Sequence, residues 1–167
     1  VSISRGRIKG SCWDAIDTPG TYSIFSENED EIVSKEILMS YGGEGEIVGA
    51  ILVADAKNLK RSIALALQYA EYGVPMLLDV NMTDEATSRG IVTDFTKLAD
   101  ILGMEVRMTV ANIGFGVNSV KTGLDSLRIP PKSILYPAEV EEFLTVSTRH
   151  LHSSPVPARL LGLLILA

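Results

Sequence analysis

The stretch MLLDVNMTD, residues 76–84, decides the fold. Its first five residues are of strand length and apolar except for Asp79, and Asn81 begins the loop that follows. An amphipathic helix, Leu59 to Tyr72, is expected before the strand, and a second helix, Phe95 to Leu102, after it. Another strand, Glu105 to Val110, comes next. This alternation predicts an α/β fold with a mostly parallel sheet and flanking helices.

The alternation extends to both sides of this unit. Towards the amino terminus, residues 1–9 and 12–16 are expected to form a hairpin, and a helix is expected from Asp30 to Met39. Residues 41–46 are expected to form a loop, and a buried strand is expected from Ile47 to Ala54, ending at Asp55. Towards the carboxyl terminus, a helix from Gly116 to Leu127 is expected to close the sheet unit.

The composition excludes several functional classes. The 167 residues are 46% hydrophobic and carry a net charge of −6, so a core can form and no basic surface attracts nucleic acid. The longest apolar run, residues 160–167, is far shorter than the roughly 20 residues of a membrane span, so a soluble chain is expected. Cys12 has no disulfide partner and is expected to pack in a strand, while His150 and His152 are expected to be ordinary residues rather than iron ligands.

The loop DTPGTYS, residues 17–23, resembles a metal and phosphate sensor in its chemistry. Asp17 follows a strand, where its carboxylate can reach a nucleotide-bound Mg²⁺ through water, and Gly20 lets the backbone approach a phosphate. Pro19 followed by Gly20 is also the ordinary central pair of a type II turn. The loop alone fits both interpretations.

The loop after residue 80 has the chemistry of guanine recognition. The Asp84 carboxylate can accept both donors on the Watson–Crick edge of guanine, and Asn81 is expected to brace neighbouring loops or to contact the base. The same residues also fit a helix cap followed by acids in the first turn. Because Asp17, Asn81 and Ala111 each follow a strand, we expect their loops at one edge of one sheet, where α/β proteins bind ligands. Their order and spacing favour a GTPase.

These motifs, with VADAKNL at residues 53–59 and VANIGFG at residues 110–116, resemble the G domain of the ferrous iron transport protein B family. The resemblance is close over residues 1–127 and looser over residues 137–167. Met82, where most GTPases have lysine, points to this family. The resemblance implies a P-loop GTPase-like fold of the TRAFAC type, with a partial G domain at residues 1–130 and the beginning of a helical region at residues 131–167.

The resemblance also implies ligands and partners. GTP or GDP with Mg²⁺ is expected, with Asp17 contacting the metal through water, and residues 21–31 are expected to act as a nucleotide-dependent switch. The full-length protein is expected to couple GTP to Fe²⁺ uptake through a permease domain, at the cytoplasmic face of the cell membrane. Open strand edges allow a homo-oligomer. The implied nucleotide-binding residues are Asp17, Thr18, Pro19, Gly20, Asn81, Met82, Asp84, Val110, Ala111 and Asn112.

The chain departs from the family pattern in two ways. The sequence has no Gly-x-x-x-x-Gly-Lys-Ser/Thr loop to cradle phosphates, so the chain is expected to be a fragment that binds nucleotide poorly and is inactive alone. Asp79 lies inside a predicted buried strand and is expected to reach solvent or Arg107.

Two other classes stay open. One is a non-catalytic pseudo-GTPase that serves in regulation or interaction. The other is a flavodoxin-like enzyme in which Asp17, Asp55 and Asp79 form an acidic metal pocket.

Overall fold

The computed structural model describes residues 3–21, 29–39, 49–131, 134–151 and 156–166. The predicted loop at 41–46, most of the predicted switch at 21–31, and His152 lie outside these ranges. The strands are β1 (Ser4–Arg7), β2 (Asp14–Asp17), β3 (Ala50–Asp55), β4 (Met76–Asn81) and β5 (Glu105–Met108). The α-helices are α1 (Glu29–Met39), α2 (Leu59–Ala70), α3 (Thr83–Ser88), α4 (Phe95–Leu102), α5 (Val117–Gly123), α6 (Ala138–Thr148) and α7 (Ala158–Leu166).

A three-stranded parallel sheet in the order β3-β4-β5 forms the centre of the fold. Its middle strand is buried from Met76 to Val80, as the apolar run predicted. The register sets Asp55 opposite Asn81 at the carboxyl ends of β3 and β4. This pairing brings the loops that follow the two strands close together.

The amino-terminal hairpin is a separate sheet. Strands β1 and β2 pair antiparallel, which confirms the predicted hairpin, but within the described ranges β2 does not pair with the parallel sheet. A cavity of about 760 Å³ lies between the two sheets and is lined by Ile16 of β2 and Leu52 of β3. The expectation that Asp17 shares one sheet edge with Asn81 is therefore wrong for the described structure. The hydrophobic pattern identified the strands, but it carries no information on which strands pair.

Several predicted element bounds shift by a few residues. Strand β3 begins at Ala50 in the described chain, and β5 ends at Met108, two residues before the predicted end. Helix α4 has the predicted bounds because Gly103 adopts a left-handed φ of 66° at its carboxyl end. A helix start was one of the two interpretations left open for residues 81–84, and α3 has the expected acids Asp84 and Glu85 in its first turn, but its N-cap residue is Met82 rather than Asn81.

The main core lies where α2 and α4 cover the parallel sheet. It combines buried side chains of the strands with Leu65, Ala66 and Tyr69 of α2 and Leu102 of α4. Leu160 of α7 joins the same cluster, so the carboxyl-terminal helices are packed against the core rather than detached from it.

Arg159 also connects α7 to the rest of the chain. Its Nε lies 3.1 Å from Glu71 Oε2, just after α2, and its Nη1 lies 2.8 Å from Glu141 Oε2 in α6. Its Nη2 donates to the carbonyl of Ile134 at 3.0 Å. One guanidinium therefore links α2, α6 and α7.

Two further sequence expectations concern Cys12 and membrane association. Cys12 is exposed in the hairpin turn, so the expectation that it packs in a strand is wrong. The turn brings β1 back on itself before β2 begins at Asp14, which leaves Cys12 outside the ladder. Among the helices of the described ranges, none has both the length and the hydrophobicity to cross a bilayer.

Candidate functional site

The side chain of Asn81 organises the loops after β4 and β5. Its Oδ1 accepts hydrogen bonds from the amide of Met82 at 2.8 Å and the amide of Ala111 at 3.0 Å, and it lies 3.2 Å from the Thr109 hydroxyl, whose single proton is shared with the nearer Asp79. One oxygen thus fixes its own loop and the loop after β5. The bracing interpretation of Asn81 matches these contacts, whereas direct base contact stays a prediction.

Met82 has an unusual backbone conformation. It has φ 60° and ψ 36°, and it is the sole non-glycine residue of the described ranges with a positive φ. This region is costly for a residue with a Cβ, and it persists only where neighbouring contacts fix it. Such residues cluster at functional sites. Here the turn directs the chain from the end of β4 into α3.

The next residue, Thr83, is also held in place. Its amide and its hydroxyl both donate to the carbonyl of Thr109, at 3.4 Å and 3.1 Å. The backbone on the amino-terminal side of Asp84 is therefore fixed against β5. The Asp84 side chain is exposed and makes no hydrogen bond or ion pair within the part of the chain that the structure describes. Asp84 thus combines a fixed backbone with a carboxylate available to a ligand.

A mostly apolar cavity of about 680 Å³ lies beside Asp84. Its walls include Met108, Val110 and Phe115, and Phe115 is half exposed. The cavity shares Asp84 and Val110 with the predicted nucleotide site. A polar group beside apolar walls is the usual composition of a small-molecule site.

The loop after β5 contains the remaining predicted base contacts. Ala111 and Asn112 begin a short 3₁₀ turn, and the amide of Val110 donates to the carbonyl of Phe115 at 3.1 Å. The Ala111 amide donates to Asn81, so the Asn112 amide is the member of this pair that Asn81 leaves unengaged. Gly116, with φ 77°, closes the loop where a Cβ would collide with the Met108 carbonyl oxygen.

Asp79 has a different partner from the expected one. It is buried, and its Oδ1 accepts a hydrogen bond from the Thr109 hydroxyl at 2.8 Å. Arg107 pairs instead with Glu105 at 2.7 Å, so the expectation that Asp79 reaches solvent or Arg107 is wrong. Burial raises the pKa of the Asp79 carboxyl, and the Thr109 hydrogen bond partly opposes that rise. Asp79 is therefore a buried structural residue that contacts Thr109, and its carboxylate does not face a ligand.

The Asp17 loop is anchored to two helices. The Ser34 hydroxyl of α1 donates to the carbonyl of Pro19 at 3.2 Å, and the Tyr69 hydroxyl of α2 donates to Thr21 Oγ1 at 2.5 Å. Asp17 and Thr18 are exposed at the end of β2. Tyr22 and Ser23 of the motif lie outside the described residues. The anchored loop leaves the Asp17 carboxylate accessible.

The acidic-pocket alternative is not met by the described chain. Within its ranges, no group of three or more His, Cys, Asp or Glu residues is arranged to hold a metal ion. Asp55 accepts the amide of Lys57 at 2.9 Å, while Asp79 is buried against Thr109 and Asp17 ends the hairpin. The three carboxylates therefore serve separate local structures.

Two residues that organise the site were not predicted from sequence. Thr109 contacts both Asp79 and Asn81, and Lys57 contacts Glu85 of α3. Both contacts join segments about 30 residues apart, and only the sheet register brings them together. The one sequence signal that could have identified Lys57 is its position in the turn that follows β3.

Solved structures share this architecture. The cytosolic domain of T. maritima FeoB in apo form superposes with a TM-score of 0.84 at 26% identity, covering 96% of this chain and 64% of that one. The mGMPPNP-bound NFeoB from S. thermophilus gives a TM-score of 0.80 at 27% identity, covering 97% and 61%. The fold is therefore that of a P-loop GTPase-like domain, with a mostly parallel sheet and flanking helices.

Sequence comparison agrees with the structural one. The profile of the family described as Ferrous iron transport protein B matches residues 1–124. The Fe(2+) transporter FeoB of Staphylococcus aureus (strain N315) is 35% identical over 116 residues, and that of Leptospira biflexa is 35% identical over 132 residues. This chain belongs to the ferrous iron transport protein B family, as the sequence motifs indicated.

The chain corresponds to a minor part of these transporters. The matched region covers 70% of this chain and 17% of the S. aureus protein, and 77% and 19% for the L. biflexa protein. The activity of a whole transporter therefore does not transfer directly to the described residues.

Proposed function

We propose that this chain is the guanine-nucleotide-binding part of a ferrous iron transporter, with a partial G domain at residues 1–130 and the beginning of a helical region at residues 131–167. The observation that carries this proposal is the exposed Asp84 carboxylate on a backbone fixed by Thr83 and Asn81. Related structures support the ligand class, since the S. thermophilus NFeoB was solved with mGMPPNP and the T. maritima domain with GDP.

Base recognition follows from the hydrogen-bonding groups that the loops present. Asp84 accepts from the two donors on the guanine edge, and the Asn112 amide, left unengaged by Asn81, donates to the guanine oxygen. Adenine presents a donor and an acceptor in the opposite sense, which leaves the polar groups of the site unpaired. Met82 and Val110 complete the predicted base site by shaping the backbone around these groups.

Asp17 has the chemistry of an outer Mg²⁺ contact. Its carboxylate is exposed at the end of β2, next to the anchored Thr18-Pro19-Gly20 backbone. Mg²⁺ keeps several waters and binds through one or two carboxylates together with substrate phosphates, so one accessible carboxylate fits this role. When bound, the metal neutralises charge on the phosphate oxygens. In this proposal Asp17 would hold the metal through water, and the Gly20 amide would face the phosphate.

The affinity of the chain for nucleotide is proposed to be weak. The sequence contains no Gly-x-x-x-x-Gly-Lys-Ser/Thr motif, and this loop is the main phosphate-binding element in such domains. Hydrolysis at a useful rate is not expected from these residues. In the full-length protein, nucleotide binding is proposed to control Fe²⁺ passage through a permease domain, with this part at the cytoplasmic face of the membrane.

A pseudo-GTPase is the second candidate. In a pseudo-GTPase, the Asn81 and Asp17 loops persist as scaffold for regulation or interaction. This candidate predicts a folded chain in which neither base identity nor Mg²⁺ changes any measurable property.

The proposal is tested by a variant that should prefer xanthine over guanine. Asp84→Asn replaces an acceptor by a donor, so the variant is expected to prefer xanthosine diphosphate, whereas the wild type prefers GDP. Asp100→Asn is the matched control, because Asp100 is an exposed residue of α4, outside the proposed base-binding residues. Competition titrations with both nucleotides and Mg²⁺ give the preference ratios. An unchanged ratio in Asp84→Asn would rule out base reading by this carboxylate.

A further inference from the structure

The Lys57 side chain connects the end of β3 to residues 82–85, the segment that carries Asp84. It lies in the short 3₁₀ turn after β3, and its Nζ is 2.7 Å from Glu85 Oε2 and 3.2 Å from Met82 Sδ. Asp55 Oδ1 lies 3.5 Å from the same ammonium group. The Lys57 side chain is 16% exposed, so most of its stem is covered while its charge is shared among these groups. Neither the proposed base contacts nor the Asp17 loop uses this residue.

The two loop contacts of Lys57 lie on both sides of Asp84. Met82 is two residues before it and Glu85 is the residue after it. On the amino-terminal side, Met82 holds the costly left-handed conformation described above. On the carboxyl-terminal side, Glu85 begins the body of the short helix α3. A single side chain on a neighbouring strand exit therefore spans the segment that carries Asp84.

Lys57 also sets the charge around Asp84. The ammonium group pairs with Glu85 and Asp55, and the hydrogen bond from Lys57 to Glu85 raises the pKa of the lysine, so the group stays charged throughout the neutral range. Without it, the Glu85 carboxylate next to Asp84 in the sequence and the Asp55 carboxylate at the end of β3 would both lose this cation and would repel an anionic ligand more strongly. The pairing keeps Glu85 directed to Lys57 and leaves Asp84 exposed, with no partner among the residues that the structure describes.

We infer that Lys57 is a positioning residue for guanine discrimination: by holding Met82 and Glu85, it fixes the direction in which Asp84 meets the base. This inference rests on the proposed function, because it assigns a specificity role at the same site. Lys57 acts on the base through Asp84 and does not itself contact the nucleotide. Its effect is therefore on the ratio of affinities for two bases more than on the folding of the chain.

The first test needs no nucleotide. Lys57→Met removes the charge but keeps the length of the stem, and Lys60→Met is the matched control because Lys60 is an exposed lysine of the neighbouring helix α2. Hydrogen exchange of the backbone amides at residues 82–86 is expected to become about three- to tenfold faster in Lys57→Met and to stay unchanged in Lys60→Met. Unchanged exchange in Lys57→Met would overturn the inference.

The second test measures discrimination. The affinity for GDP divided by the affinity for xanthosine diphosphate is expected to fall about three- to tenfold in Lys57→Met. The midpoint of thermal unfolding is expected to stay close to that of Lys60→Met. The exchanged pair Lys57→Glu with Glu85→Lys is expected to recover part of the ratio. Faster exchange with an unchanged ratio would contradict the specificity role and leave the proposed function intact. If the wild type shows no preference, the proposed function fails, and hydrogen exchange alone decides whether Lys57 holds the loop.

Discussion

Replacing Arg159 by methionine is expected to destabilise the chain strongly. The change removes the guanidinium that lies 3.1 Å from Glu71, whose side chain is only 3% exposed. It leaves a buried carboxylate without its cation, and breaking a buried pair in this way costs about 3 to 5 kcal/mol. Loss of the cation over the Tyr136 ring, 5.8 Å away, adds about 0.5 to 1 kcal/mol. The expected fall in the free energy of unfolding is therefore about 3.5 to 6 kcal/mol.

Urea denaturation followed by circular dichroism measures this change. Burial already raises the pKa of the Glu71 carboxyl, and Arg159 opposes that rise. In Arg159→Met the pKa rises further above its unfolded value, so the folded state binds a proton more tightly and the loss of stability shrinks as the pH falls. The double variant Arg159→Met with Glu71→Leu removes the buried pair and leaves only the more exposed Glu141 without its cation, so it is expected to lie within about 1 to 2 kcal/mol of the wild type. A double variant no more stable than Arg159→Met would refute the argument from the buried charge.

Two further substitutions have defined outcomes. Asp79→Asn is expected to stabilise the chain near neutral pH and to have little effect near pH 4, because the raised pKa of Asp79 means that wild-type stability is lost as the pH rises through the folded pKa. Urea midpoints at both pH values measure this, and a loss of stability at neutral pH would contradict it. Gly116→Ala places a Cβ against the Met108 carbonyl at a positive φ and is expected to cost at least about 1 to 3 kcal/mol in the same assay, whereas an unchanged midpoint would show that the loop relaxes freely.

Much of the fold could be predicted because its signals are local. The apolar run of β4, the amphipathic pattern of α2 and the left-handed Gly103 after α4 each lie within one segment of the sequence. Family resemblance then supplied the class of fold. Residue pattern and resemblance together were sufficient for the order of the strands and of helices α1, α2, α4 and α5, and for the loops that follow β4 and β5.

The remaining features depend on contacts between distant segments. Strand pairing places Thr109 beside Asp79, and no local pattern indicates that a threonine hydroxyl would take precedence over Arg107. The separation of the hairpin from the parallel sheet is likewise a matter of pairing, which the period of a strand does not encode. Lys57 illustrates the same limit at the candidate site, since its partner is 28 residues further along the chain.

Calorimetric titration of the wild-type chain with GDP and with ADP, each with Mg²⁺, tests the central claim most directly. The claim is that the chain reads guanine through Asp84 while lacking most of the phosphate-binding contacts. It predicts measurable binding of GDP that is weaker than micromolar, and no comparable binding of ADP. Equal affinity for the two nucleotides would contradict base reading, and micromolar or tighter binding of GDP would contradict the importance assigned to the missing phosphate motif.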